Sequence, residues 1–149
     1  MTGYIDLPDT IPSATGLFPF GFGLSYTRFA YGDPQFDHGT VRGMEGTVTV
    51  RVPVKNVGER AGCDVVQLYM SDPVARVSQP LRRLCGFQKV WLDPGAEREV
   101  RFTLRGADFA YPMGDALDSV AWVMDPGAVL LSVGPHSGSL QSVEVEWLP

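Results

Sequence analysis

Thr47-Val48-Thr49-Val50-Arg51-Val52-Pro53-Val54-Lys55 decides the fold. Four valines occupy every second position, with polar residues and one proline between them. A period of two is that of a half-buried β-strand, whereas a helix would scatter the same valines around its axis. Pro53 has no N–H for a ladder, which predicts an edge position or a bulge. Asn56-Val57-Gly58 then supplies a turn.

The flanking sequence repeats the signature. Residues 64–71 place Val66, Leu68 and Met70 opposite Val65, Gln67 and Tyr69; with both faces largely apolar, this strand is expected at the centre of its sheet. Further strands are predicted at 86–92, 98–104, 119–124, 128–133 and 143–147. Asp93-Pro94-Gly95 and Asp125-Pro126-Gly127 carry the Pro-then-Gly order of a type II turn, and each joins two strand-like runs, so hairpins are expected at both. About seven short strands at this spacing predict an all-β chain, an antiparallel β-sandwich of the immunoglobulin-like kind. Its expected core holds Val50, Val52, Leu68, Phe102, Val120, Trp122 and Leu131. Tyr111 is placed to act as a hydrogen-bonded corner.

Residues 1–27 read differently from the sandwich at 28–149. Pro8, Pro12, Pro19 and the glycines at 3, 16, 21 and 23 break every periodicity, which defines an irregular N-terminal arm. The arm nevertheless carries Leu17, Phe18, Phe20, Phe22, Leu24 and Tyr26. That is too much apolar surface for a solvated linker, and it predicts docking on another surface.

The 149 residues suit one domain. Twelve basic against 17 acidic residues give a net charge of −5, which disfavours a nucleic-acid partner. No apolar run reaches the length of a membrane span, and no positive n-region precedes an apolar stretch, so no membrane partner is expected and a cytoplasmic location is the default. Cys63 and Cys85 are too few for a disulfide framework, and free thiols are the default.

The chain offers little to catalysis. His38 and His136 have no cysteine or second histidine at ligand spacing, so no metal and no cofactor is expected. Gly21-Phe22-Gly23 lacks the third glycine of a dinucleotide loop. His136-Ser137 puts a base beside a hydroxyl, but adjacent side chains on a loop point apart. Glu144 and Glu146 would lie about 6.6 Å apart on one strand face, a spacing that suits paired carboxylates. With Val143, Val145 and Trp147 turned inward, however, both stay in water, and nothing raises one pKa above the other. Asp115 and Asp118, in a polar loop, fail likewise. No catalytic residue is assigned. Trp91 and Trp147 are candidates for a sugar-stacking surface, while Trp122 is in phase with the core.

The run Leu17-Phe18-Pro19-Phe20-Gly21-Phe22-Gly23-Leu24-Ser25-Tyr26-Thr27 resembles the segment leading into the last domain of family 3 glycoside hydrolases, the β-glucosidase and β-xylosidase type. Val54-Lys55-Asn56-Val57-Gly58, Val65-Val66-Gln67-Leu68-Tyr69, Ser71-Asp72-Pro73, Gly86-Phe87 and Pro94-Gly95 resemble that family's fibronectin type III-like domain in order and spacing. Pro126-Gly127 and Val133-Gly134 continue the match. The family usually has an acidic residue where Arg83 stands and a basic one where Cys85 stands. Its nucleophile and acid/base residues belong to a barrel and an α/β sandwich domain upstream of such a segment, and no position here matches them. The resemblance implies a non-catalytic accessory domain of carbohydrate degradation that packs against those catalytic domains, on the same or a separate chain, and stabilises them. A stand-alone carbohydrate-binding module or a homodimer is the alternative.

Overall fold

The computed structural model describes residues 18–114 and 120–149. Among them are eleven strands and one 3-10 turn, Gly106–Phe109. One sheet is built on β4 (Thr47–Asn56), which pairs along its whole length with β7 (Glu97–Arg105). The other side of β4 is shared by β1 (Phe29–Tyr31) and β2 (Gln35–Phe36). The second sheet runs β3 (Thr40–Arg42), β11 (Ser139–Leu148), β10 (Gly127–His136), β5 (Gly62–Ser71), β6 (Arg83–Leu92). Every pairing is antiparallel except β3 with β11. A separate ribbon pairs β8 (Tyr111–Met113) with β9 (Ala121–Val123).

The valine alternation that predicts β4 is realised as one dry face. Val48, Val50, Val52 and Val54 are fully buried against Val66, Leu68 and Met70 of β5 and Leu131 and Val133 of β10. β5 lies between β10 and β6, the central place expected of a strand with two apolar faces. All seven predicted strands have counterparts, and β1, β2, β3 and β8 are short additions.

Four expectations are corrected. Pro53 does not mark an edge: β4 is the middle strand of its sheet, and the missing N–H falls in the gap between β1 and β2, where Gly32 N–H donates to Pro53 O at 2.9 Å. Neither Pro-Gly tripeptide closes a hairpin. Asp93-Pro94-Gly95 is a type II turn, with Gly95 at φ +76° and Ala96 N–H donating to Asp93 O at 3.0 Å, but it carries the chain from β6 in one sheet to β7 in the other. Gly127 has φ +152°, far from the roughly +80° of a type II turn, and its segment bends the chain from the ribbon into β10. Finally, Trp122 and Val120 are exposed. β9 belongs to the ribbon, where Trp122 faces Pro112, so period-two phase there does not point at the core. Ser119, the first residue of that predicted run, lies outside the described residues, as do Asp115 and Asp118.

A buried amide links the two sheets. Asn56, at the end of β4, is fully buried, and every hydrogen-bonding group it has is used. Its Nδ2 donates to Arg60 O (2.7 Å) and to Leu92 O of β6 (3.0 Å). Its Oδ1 accepts from Thr27 Oγ1 (2.8 Å) and Gly58 N–H (3.0 Å), and its backbone bonds Ala96 O and Gly95 N–H, both at 2.9 Å. Asn56→Asp keeps the shape but removes both side-chain donors and buries a charge. It is expected to cost about 3 kcal/mol or more in urea unfolding; a loss under about 1 kcal/mol would show that the amide is dispensable.

Candidate docking surface

The two outer faces of the sandwich differ in kind. On β4 and β7 the outward positions are polar: Thr49 Oγ1 lies 3.1 Å from Thr103 Oγ1, Arg51 faces Arg101, and Lys55 faces Glu97. The outward face of the five-stranded sheet carries Phe87 and Trp91 on β6, Tyr69 on β5 and Leu130 on β10. The arm lies on this apolar face. It tracks β5 in reverse, with Thr27 against Gly62, Ser25 Oγ donating to Cys63 O (3.4 Å), Gly21 against Gln67 and Phe20 against Tyr69.

The arm forms a tight turn at Pro19–Phe22. Phe22 N–H donates to Pro19 O at 3.0 Å, and Gly21, at φ +79°, supplies the left-handed third position of a type II turn. The sandwich takes up the turn's two central carbonyls. Ser137 N–H donates to Phe20 O (3.0 Å), and Gln67 Nε2 donates to Gly21 O (3.0 Å) and Pro135 O (2.6 Å). Tyr69 Oη donates to Gln67 Oε1 at 2.5 Å, and burial pushes this phenol above its ordinary pKa, which keeps the donor protonated.

The backbone of the Pro19–Phe22 turn is therefore held, and the arm's large apolar side chains are left over. Leu24 and Tyr26 are 91% and 95% exposed, and Phe18 and Phe20 are more than half exposed. Phe18 stacks on Phe22 at 4.8 Å, and Phe22 leans on His136 at 5.4 Å. Leu17 lies outside the described residues. Open grooves flank the arm. One, of about 620 Å³, is lined by Phe20, Tyr69, Leu81, Leu84 and Leu130; the other, of about 450 Å³, by Leu24, Phe29, Tyr31, Cys63 and Lys89. Behind the second, Tyr31 Oη donates to Asp64 Oδ2 at 2.7 Å between the sheets, and burial followed by that bond raises the Tyr31 pKa well above its ordinary value.

The sequence-predicted polar candidates do not converge. Glu144 and Glu146 are exposed on β11, and His136 Nδ1 accepts Gly138 N–H in the β10–β11 turn. No group of three or more possible metal ligands occurs among the described residues. Trp91 is 61% exposed, but Trp147 is only 5% exposed and offers no stacking face: it points inward with Val145, its Nε1 donating to Gly43 O at 3.4 Å. Trp122, expected in the core, is instead 66% exposed on the ribbon. Sequence reasoning missed Gln67, whose signal was a lone amide in an otherwise apolar strand.

Tyr111 is buried and hydrogen-bonded, but it lies on the β8–β9 ribbon and bonds loop residues rather than forming a corner between the two sheets. Its hydroxyl donates to Asp125 and accepts from Arg76 N–H (3.2 Å), tying the 72–82 loop to the bend before β10. Arg76 Nε reaches the same carboxylate at 2.8 Å.

An antiparallel sandwich with these crossovers is the architecture of fibronectin type III domains, and the fibronectin type III-like domain family matches residues 64–137. The chain is 41% identical over 143 residues to a β-xylosidase of Formosa agariphila and 44% identical over 121 residues to thermostable β-glucosidase B of Acetivibrio thermocellus. These alignments take in 90% and 81% of this chain but 19% and 16% of those proteins. A β-glucosidase structure from Erythrobacter marinus superposes with a TM-score of 0.81 at 40% identity, over 88% of this chain and 17% of that one. A β-glucosidase from Listeria innocua in complex with gluconolactone also gives 0.81, over all of this chain and 19% of its own, at 29% identity. The chain belongs to the fibronectin type III-like domains of family 3 glycoside hydrolases and spans about a fifth of the length of such relatives.

The Tyr111 hydrogen bond, and then Arg76, hold Asp125 below the usual carboxylate range. A carboxyl with a depressed folded pKa adds stability that is present above its unfolded value of about 3.9 and is lost as pH falls through the folded value. Asp125→Asn is thus expected to lower the melting temperature at pH 7, with the gap to the parent closing below about pH 4. A gap that persists unchanged at pH 3 would refute the ionic contribution.

Proposed function

We propose that the chain is a non-catalytic accessory module that packs, through its arm and the outer face of the five-stranded sheet, against the remaining domains of a family 3 glycoside hydrolase and stabilises them. The observation that carries this reading is the asymmetry of the two faces. One is an ordinary polar surface; the other gathers Phe18, Phe20, Leu24, Tyr26, Leu81 and Phe87, all exposed, around a backbone already fixed in place. Apolar patches of this kind mark interfaces. The size of the relatives supports this choice of occupant, since more than four-fifths of each lies outside the matched segment.

The test is complementation. The A. thermocellus β-glucosidase, deprived of the segment that matches this chain, is mixed with the full chain, and complex formation and thermal stability are measured. A saturable complex and a raised melting temperature are expected. Each well-buried large apolar side chain contributes about 1.5–3 kcal/mol, so Phe18→Ser/Phe20→Ser/Leu24→Ser together should weaken the complex at least about 100-fold. Equal binding by this triple variant, or no binding by the parent chain, would overturn the proposal. A concentration-dependent dimer of the chain alone that the triple variant loses would favour self-association through the same face.

The chain by itself is expected to hydrolyse no aryl β-glucoside or β-xyloside above background. Turnover that survives repurification and disappears in Glu144→Gln or Glu146→Gln would contradict a non-catalytic role.

A further inference from the structure

We infer that Gln67 is a positioning residue: it latches the Pro19–Phe22 turn to β5 and so presets the direction of the arm's rings before any partner arrives. This inference rests on the docking reading, and it assigns to an interior strand residue the ordering of a surface that it does not itself form.

The geometry is one of close fit. Gln67 is almost fully buried, and its amide makes three hydrogen bonds, to Gly21 O, Pro135 O and Tyr69 Oη. It reaches the arm only because position 21 has no side chain: a Cβ there would stand 2.0 Å from Gln67 Oε1. Gly21 is thus required twice, by its positive φ and by the amide pressed against it. With Pro19 O bonded within the turn, Phe20 O to Ser137 N–H and Gly21 O to Gln67, the turn has no free carbonyl between residues 19 and 21. Its rings are the part left to face a partner. At the other end Thr27 bonds the buried Asn56 of β4, so the arm is pinned at two points, Gly21 and Thr27, six residues apart.

Pinning changes the thermodynamics of docking. A free arm would lose backbone and side-chain freedom only on binding, whereas a latched arm loses it when the sandwich folds. Removing the latch should therefore weaken docking even though every contacting ring remains. This distinguishes positioning from a satisfied buried amide with no further role.

The experiment uses the full chain and two variants, Gln67→Ala and Gly21→Ala. The second leaves the sheet's side chains intact and so remains informative if the first folds poorly. Hydrogen exchange at Phe22 and Ser137 and chymotryptic cleavage after Phe20 and Phe22 are followed beside exchange in β4. Both arm readouts are expected to accelerate at least 10-fold in Gly21→Ala, with β4 unchanged and affinity in the complementation assay reduced at least 10-fold. Unchanged arm exchange would overturn the latch. Faster exchange with undiminished affinity would overturn its role in presenting the rings. Failure of the parent chain to bind would sink the docking reading and with it the presentation role, while the exchange result would still decide whether Gln67 holds the arm.

Discussion

The structure depends on the buried amide of Asn56. An amide in an apolar interior costs free energy for each group left unpaired, so its four side-chain partners act as a set of distance constraints. Those partners lie on the turn after β4, on the segment leading into β5, at the end of β6 and at the root of the arm. The valine face of β4 drives the sheets together without direction. Asn56 fixes how far along each other they stop, because only one offset brings Leu92 O and Arg60 O to the same nitrogen. The Asp93–Ala96 turn then closes on the same residue's backbone, which aligns β7 with β4.

From that alignment the division of labour between the faces follows. With β4 and β7 in register, their outward positions form polar cross-strand pairs that water can solvate. The opposite sheet places β5 centrally, and a central strand with an apolar second face requires a cover. The arm supplies the cover with its backbone. Gln67 and Tyr69 are the polar groups on that face that meet a peptide chain rather than water. The consequence is a layered surface of inverted character, in which the inner layer is hydrogen-bonded and the outer layer is aromatic.

Much of the sandwich was legible because period-two alternation reports burial directly, as in Val48 to Val54. What was not legible was which strands share a sheet. Asp93-Pro94-Gly95 makes the turn its composition calls for, yet the same turn serves a hairpin or a crossover, and only the pairing of β6 with β5 and β7 with β4 decides. Trp122 alternates with apolar neighbours on a lone ribbon, β9, so its phase does not point at the core, whereas Trp147 alternates with Val143 and Val145 on β11 of a main sheet and follows them inward, which removes it as a stacking surface. Of the docking surface, the arm's apolar content was visible and its attachment was not. A glutamine in a strand and a glycine forty-six residues earlier show their relation only when the arm is laid along β5.

The strand edges bear on the route of association. β6 is the last strand of its sheet and runs ten residues, long enough to template pairing with another chain. It is blunted in the usual ways. A register shift opposite Leu68 and Tyr69 leaves Cys85 as the extra residue of a bulge, Lys89 stands outward beside Phe87, and Gln88 Nε2 and Arg83 Nη2 donate across to Arg101 O of β7 and to Asp108 O. These contacts tie the edge to β7 of the other sheet and to the 3-10 turn after it. With edge pairing discouraged and the β4–β7 face polar, the arm-covered sheet is the surface whose apolar groups are left to associate through side chains. A contact of that kind would depend on where the rings stand, and the arm that carries them is bonded to the sandwich through two amides, Asn56 at Thr27 and Gln67 at Gly21.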